Sequence, residues 1–145
     1  DIPDGATIAI PNDPTNGGRG LLLLQRAGLL KLKYGVGMKA TPKDVVDNPK
    51  HLKFKELEAA QLPRSLADVD AAAITMNYVM SGGLDVKKQN IFLEPKDEPL
   101  AVMIIAARNK DKDKEAYKAF VKAYQSEAVK KFIADKYKGT IEPAF

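Results

Sequence analysis

A short apolar run, Ala6-Thr-Ile-Ala-Ile10, is broken by Asn12-Asp13-Pro14 and followed at once by Thr15-Asn-Gly-Gly-Arg-Gly20 and Leu21-Leu-Leu-Leu24. That order leaves few folds open. The run predicts a strand, the turn chemistry and proline's missing N–H predict its end, and the leucines predict the buried face of a helix. Asp13 or Asn12 can cap that helix, and Pro14 suits its first position. Backbone N–H groups left free at such a start, with the positive end of the helix dipole, favour a carboxylate or phosphate; Arg19 adds a two-pronged donor. Gly17, Gly18 and Gly20 leave room for close approach. The same residues also describe an ordinary capped helix with a surface arginine, and composition alone leaves both readings open. The spacing matches neither the dinucleotide fingerprint nor the phosphate loop ending in Lys-Ser/Thr, so a carboxylate is the expected anion.

Further along, Gly28 predicts the helix stop, and Leu29 to Leu32 lead into a Gly35-Val-Gly37 turn. Thr41 before Pro42 predicts a short helix ended by Asn48-Pro49. Leu52 to Leu57 alternates apolar and charged residues, the period of a strand near a sheet edge. Gln61-Leu-Pro-Arg-Ser-Leu66 reads as a proline-started helical turn. Ala71 to Thr75 is apolar enough for a strand covered on both faces, and it leads through Asn77-Tyr-Val-Met80 to a Ser81-Gly82-Gly83 stop. Ile91 to Leu93 and Leu100 to Ala107 are further strand candidates, the second fitting a central strand. From Asp113 to Tyr137 the pattern is helical, with Ser126 starting a second helix and Tyr117, Phe120, Val121, Tyr124, Val129, Phe132 and Ile133 forming a stripe expected to pack in a core. Alternating strands and helices of these lengths predict an α/β layer structure with a mixed, largely parallel sheet flanked by helices.

Composition narrows the chemistry. At 145 residues and 45% hydrophobic, the chain is long enough for one domain with a core. The net charge of +4 comes from interspersed charges, 23 basic and 19 acidic, with no basic stripe interleaved with aromatics, so nucleic acid is not an expected partner. There is no cysteine, hence no disulfide, thiolate or cysteine metal site. No apolar run reaches the roughly 20 residues of a membrane span. The first residue is Asp rather than Met, from which we expect processed or excised material. His51 is the single histidine, in a Pro49-Lys-His-Leu connection, and reads as an exposed loop residue. Asp68 and Asp70 lack calcium-loop spacing, and Ser65 and Ser81 lack a nucleophile elbow. No catalytic residue, metal or cofactor is expected; what survives is a binding site.

Four segments carry a family resemblance: Ala9-Ile-Pro-Asn-Asp-Pro-Thr-Asn-Gly-Gly-Arg-Gly-Leu-Leu-Leu-Leu-Gln25, Val45-Val-Asp-Asn-Pro-Lys50, Glu56-Leu-Glu-Ala-Ala-Gln-Leu-Pro-Arg-Ser-Leu66 and Phe120-Val-Lys-Ala-Tyr-Gln-Ser126. In this order they resemble the methionine-binding lipoproteins of the NlpA type, extracytoplasmic receptors of ATP-driven amino-acid importers. The resemblance runs from about Ala6 to Phe132. It implies a periplasmic-binding-protein fold of two α/β lobes with the ligand clamped between them. Because those proteins are longer, it implies that residues 1–100 are the second lobe, while 101–145 are a return strand and C-terminal helices that normally pack on a first lobe absent from this chain. That lobe would come from another chain or a domain-swapped copy, unless the chain is a fragment. The family's lipidated N-terminus, also absent, implies a periplasmic or cell-surface protein anchored to the membrane and partnered by the membrane subunits of an ABC transporter.

Residue by residue, the resemblance places Arg19 on the ligand's α-carboxylate and Asn16 in the same turn. The family commonly has asparagine where this chain has Thr75 and Val102. Threonine can still hydrogen-bond, valine cannot, and Asn77 can substitute from two residues on. Thr75, Asn77 and Tyr78 are therefore the expected opposing wall, with methionine or a related amino-acid-like molecule as ligand. An unpaired buried polar group costs about 1–3 kcal/mol, so these departures bear on ligand identity. Two rivals stand beside the receptor reading: an enzyme domain using the same turn for a phosphate or carboxylate substrate, and an interaction surface meeting other macromolecules. An Arg19 pointing away from any cleft and locked in a surface ion pair would overturn the anion-site reading.

Overall fold

The strand expected at the start of the chain is β1 (Thr7–Pro11), with Ile8, Ala9 and Ile10 almost wholly buried. The computed structural model describes residues 2–95 and 102–145. Helix α1 (Pro14–Arg26) follows, with Pro14 in its first turn and Asp13 as N-cap, accepting from the Asn16 amide at 2.9 Å. It ends as predicted, the chain turning at Gly28 with φ +74°. Beyond it come β2 (Lys31–Leu32), β3 (Val45–Asp47), β4 (Lys53–Leu57), α2 (Leu62–Ser65), β5 (Ala71–Ala72), α3 (Met76–Ser81) and α4 (Val86–Gln89).

β4 and β5 flank β1, both parallel to it, with Ile8 opposite Phe54 on one side and Ala71 on the other. β4 thus holds the edge position its alternating sequence predicts. Leu21 and Leu24 of α1 pack on Ile8 and Ile10, with Leu30, Leu32 and Leu52 closing the cluster. Burying each such side chain stabilises the fold by about 1.5–3 kcal/mol. α2 packs against β1, and its Leu62 is fully buried. The Asp70 carboxylate accepts from the Thr7 amide at 2.8 Å, tying β5 to the start of β1.

Several expectations are corrected. Residues 41–48 do not form a helix. Thr41 and Asp44 close a single 3₁₀ turn over Pro42–Asp44 through hydrogen bonds of 2.9 and 2.7 Å, after which Val45–Asp47 turns into β3, antiparallel to β2. The β-branched Val45 and Val46 favour that extended backbone. The strand expected over Ala71–Thr75 ends at Ala72, lies at the other sheet edge and is only half-buried, because residues from Met76 onward wind into α3. Ile91–Leu93 is exposed and not a strand. Of the strand expected over Leu100–Ala107, Leu100 and Ala101 lie outside the described residues, and Val102 to Ala107 is exposed and unpaired. A strand is held by a ladder partner, and the described residues from Pro95 onward include no strand to supply one.

The chain divides into two compact units, Asp1–Glu94 and Pro95–Phe145, where a single core was expected from length. In the second unit α5 (Glu115–Tyr124) and α6 (Glu127–Tyr137) form as predicted, and Ser126 caps α6. Asp111 is its one buried residue among those described, clamped by Arg108 at 2.7 Å and Lys114 at 2.6 Å. The aromatic stripe is not a core: Tyr117, Phe120, Tyr124 and Phe132 are all exposed, Phe132 at 55%.

Candidate functional site

Parallel strands with connections running to both sides of β1 place a crevice outside their carboxyl ends, where α/β folds hold ligands. α1 starts at the carboxyl end of β1, and α3 follows β5 at the same edge of the sheet. Of the expected residues, Asn16 and Arg19 stand on α1, and Thr75, Asn77 and Tyr78 stand around the start of α3. Gly20, midway along α1, lets that helix lie close to the segment just after β5, since a Cβ there would sit 3.2 Å from the Cβ of Ala73.

The glycines, however, serve the chain's own packing. A Cβ on Gly18 would lie 2.1 Å from the Met38 carbonyl oxygen, and one on Gly17 would lie 2.7 Å from that of Pro11. The close approach read from the sequence is made by backbone. A cavity of about 170 Å³ beside this turn is lined by Asn12, Asp13, Gly17, Thr41 and Glu56.

The helix start is also less open than the sequence implies. Asp13 presents its carboxylate to the amide of Asn16, and the Asn16 side-chain amide donates to both oxygens of the same carboxylate at 3.1 and 3.0 Å. The Asn16 backbone N–H, opposed in part by burial, holds the Asp13 carboxyl below its ordinary acidity range. The opening amide of Asn16 is therefore paired within the turn, and the expected cluster of unpaired amides is corrected on this point.

Arg19 is likewise engaged. Its Nε donates to Oε1 and Oε2 of Glu94 at 2.8 and 3.0 Å, and its second nitrogen, Nη2, also meets Oε2. The two side chains are 27% and 22% exposed, between surface and core. An ion pair on Arg19 is thus present, partly buried rather than at the surface, and what fills the fork is a carboxylate, the anion that the turn's chemistry favours. Glu94 was missed by sequence reasoning. It stands 75 residues from Arg19, and no spacing rule links them.

Thr75 is the N-cap residue of α3, and its carbonyl accepts from the amides of Tyr78 at 2.9 Å and Val79 at 3.1 Å. Asn77 is exposed and Tyr78 half-buried. Val102 lies in the second unit and is exposed. Elsewhere, Asp44 is held below its ordinary acidity by the Thr41 hydroxyl and amide, a turn contact. His51 is exposed and pairs with Asp4 at 2.9 Å. Ser65 is buried with its hydroxyl donating to the Leu62 carbonyl. No group of three or more metal-binding side chains occurs among the described residues.

The chain is close in sequence to known proteins. The chain is 53% identical over 131 residues to the D-methionine-binding lipoprotein MetQ of Escherichia coli O157:H7, matching 89% of this chain and 48% of that protein. It is 46% identical over 146 residues to Lipoprotein 28 of Escherichia coli K12, covering 99% of this chain and 53% of the relative. A nutrient binding protein from Burkholderia cenocepacia, solved bound to methionine, superposes with a TM-score of 0.88 at 46% identity, over 100% of this chain and 61% of that one. The chain thus spans about half the length of the curated relatives it matches. The family model described as NlpA lipoprotein matches residues 1–145, and with the parallel sheet, the capped glycine-rich helix and these identities the chain belongs to the NlpA lipoprotein family.

Proposed function

We propose that the chain is the carboxylate-gripping part of an extracytoplasmic solute-binding receptor for methionine or a related small amino acid, which delivers it to the membrane subunits of an ABC transporter. The observation that carries this is the methionine-bound neighbour, which superposes over the whole of this chain; Arg19 agrees with it in being able to hold a carboxylate in a fork, the place Glu94 takes here. The relatives named for methionine binding and the methionine-bound neighbour support the ligand class. They support a receptor over an enzyme.

In this reading residues 1–100 are the second lobe and 101–145 a return segment and closing helices. The exposed faces of α5 and α6 are covered by a first lobe, which lies in the rest of a longer polypeptide, in another chain or in a swapped copy. Asn16 positions the turn beside Arg19, and Thr75, Asn77 and Tyr78 form the facing wall at the end of β5. Closure of the lobes on the ligand signals the transporter. The receptor is anchored at the periplasmic or cell surface by a lipidated N-terminus.

Calorimetric titration of the intact protein with methionine tests the reading. Arg19→Ala is expected to weaken binding about tenfold or more, the cost of leaving a buried carboxylate unpaired. Unchanged affinity would remove Arg19 from the site.

A further inference from the structure

We infer that Glu94 occupies the place of the ligand's carboxylate on Arg19, so that binding exchanges one carboxylate for another. The inference rests on the receptor reading of Arg19 and adds a residue to that site. Both oxygens of Glu94 face Nε, and one of them also meets Nη2. That edge of the guanidinium is the one a planar carboxylate takes when it binds side-on, so Glu94 and a ligand carboxylate compete for the same donors.

Glu94 is placed to let go. The preceding Ile91, Phe92 and Leu93 are exposed and lie outside any helix or strand, so no helix or sheet ladder of their own holds them in place. The pair is partly buried rather than sealed, at 27% and 22% exposure, so water still reaches it. As a tethered group, however, Glu94 competes at an effective concentration on the order of millimolar, whatever the ligand concentration. A simple carboxylate then gains little by displacing it. A molecule that brings further contacts beyond its carboxylate wins the exchange, and Glu94 acts as a specificity filter.

The test is calorimetry on the intact protein, comparing wild type with Glu94→Gln, which keeps the shape and removes the charge. The probes are methionine and its deaminated analogue, which retains the carboxylate and lacks the ammonium. Glu94→Gln is expected to tighten the analogue about tenfold, with Glu94→Ala moving it in the same direction and both variants keeping the wild-type unfolding midpoint within a few degrees. Analogue affinity unchanged in both variants, or absent in all three proteins, would overturn the exchange. So would a loss confined to methionine, which would make Glu94 a partner of the ammonium. Failure of methionine to bind wild type would sink the receptor reading and this inference together, whereas methionine binding without tightening of the analogue would sink the inference alone.

Discussion

Helices α1 and α6 begin by the same device and end in opposite environments. Asp13 caps one and Ser126 the other, each side chain accepting an amide from the first turn. Yet Leu21 of α1 is fully buried, while Phe132 of α6 is half exposed. Capping and periodicity are local and act within four residues, so both helices form. A core needs a second surface. In the first unit β1, β4 and β5 provide it; in the second unit the described residues offer α5 and α6 no sheet. An amphipathic stripe therefore announces that a face will be covered without saying by what.

Breaking the better-covered face should cost most. Leu21→Ala is expected to destabilise the first unit by about 2–5 kcal/mol, read by urea unfolding. Gly18→Ala forces a Cβ into the Met38 carbonyl and is expected to cost about 1–3 kcal/mol in the same assay. Asp13→Ala removes the α1 cap at about 1 kcal/mol. That contribution is pH-dependent. Because the folded carboxyl is held below the ordinary aspartate value of 3.8, the stabilisation is present above that value and fades as pH falls through the lower folded value. Asp13→Asn keeps a competent cap and should flatten this acid limb, measured by thermal unfolding across pH. Smallest of all, Phe120→Ala should change the stability of this chain by less than about 0.5 kcal/mol. In an assembly or longer polypeptide that supplies a first lobe over that face, the same substitution should cost about 3 kcal/mol, and an equal effect in both would refute the covering.

Much of the first unit was legible because its signals are contiguous. Asp13-Pro14 marks a helix start, Gly28 its stop, and the alternation of Leu52 to Leu57 places β4 at an edge. Arg19 was legible as a carboxylate donor by type and position. The pairing of Val45 with Leu32 was not, since two strands find each other through space and no neighbour along the chain names the partner. Nor was Glu94, whose meeting with Arg19 closes a loop of 75 residues. The glycines of α1 could be read as room for something, but whether ligand or backbone fills that room depends on where Met38 returns.

By itself the sequence determined where helices and strands start and stop, which chemistries are out of reach, and the family to which the residues belong, because each of these is written in neighbours along the chain. Which carboxylate sits on Arg19, which backbone lies against Gly18 and which apolar faces are covered were decided only in three dimensions. Those outcomes depend on contacts between residues far apart in sequence, whose entropy of closure is repaid by the fold as a whole.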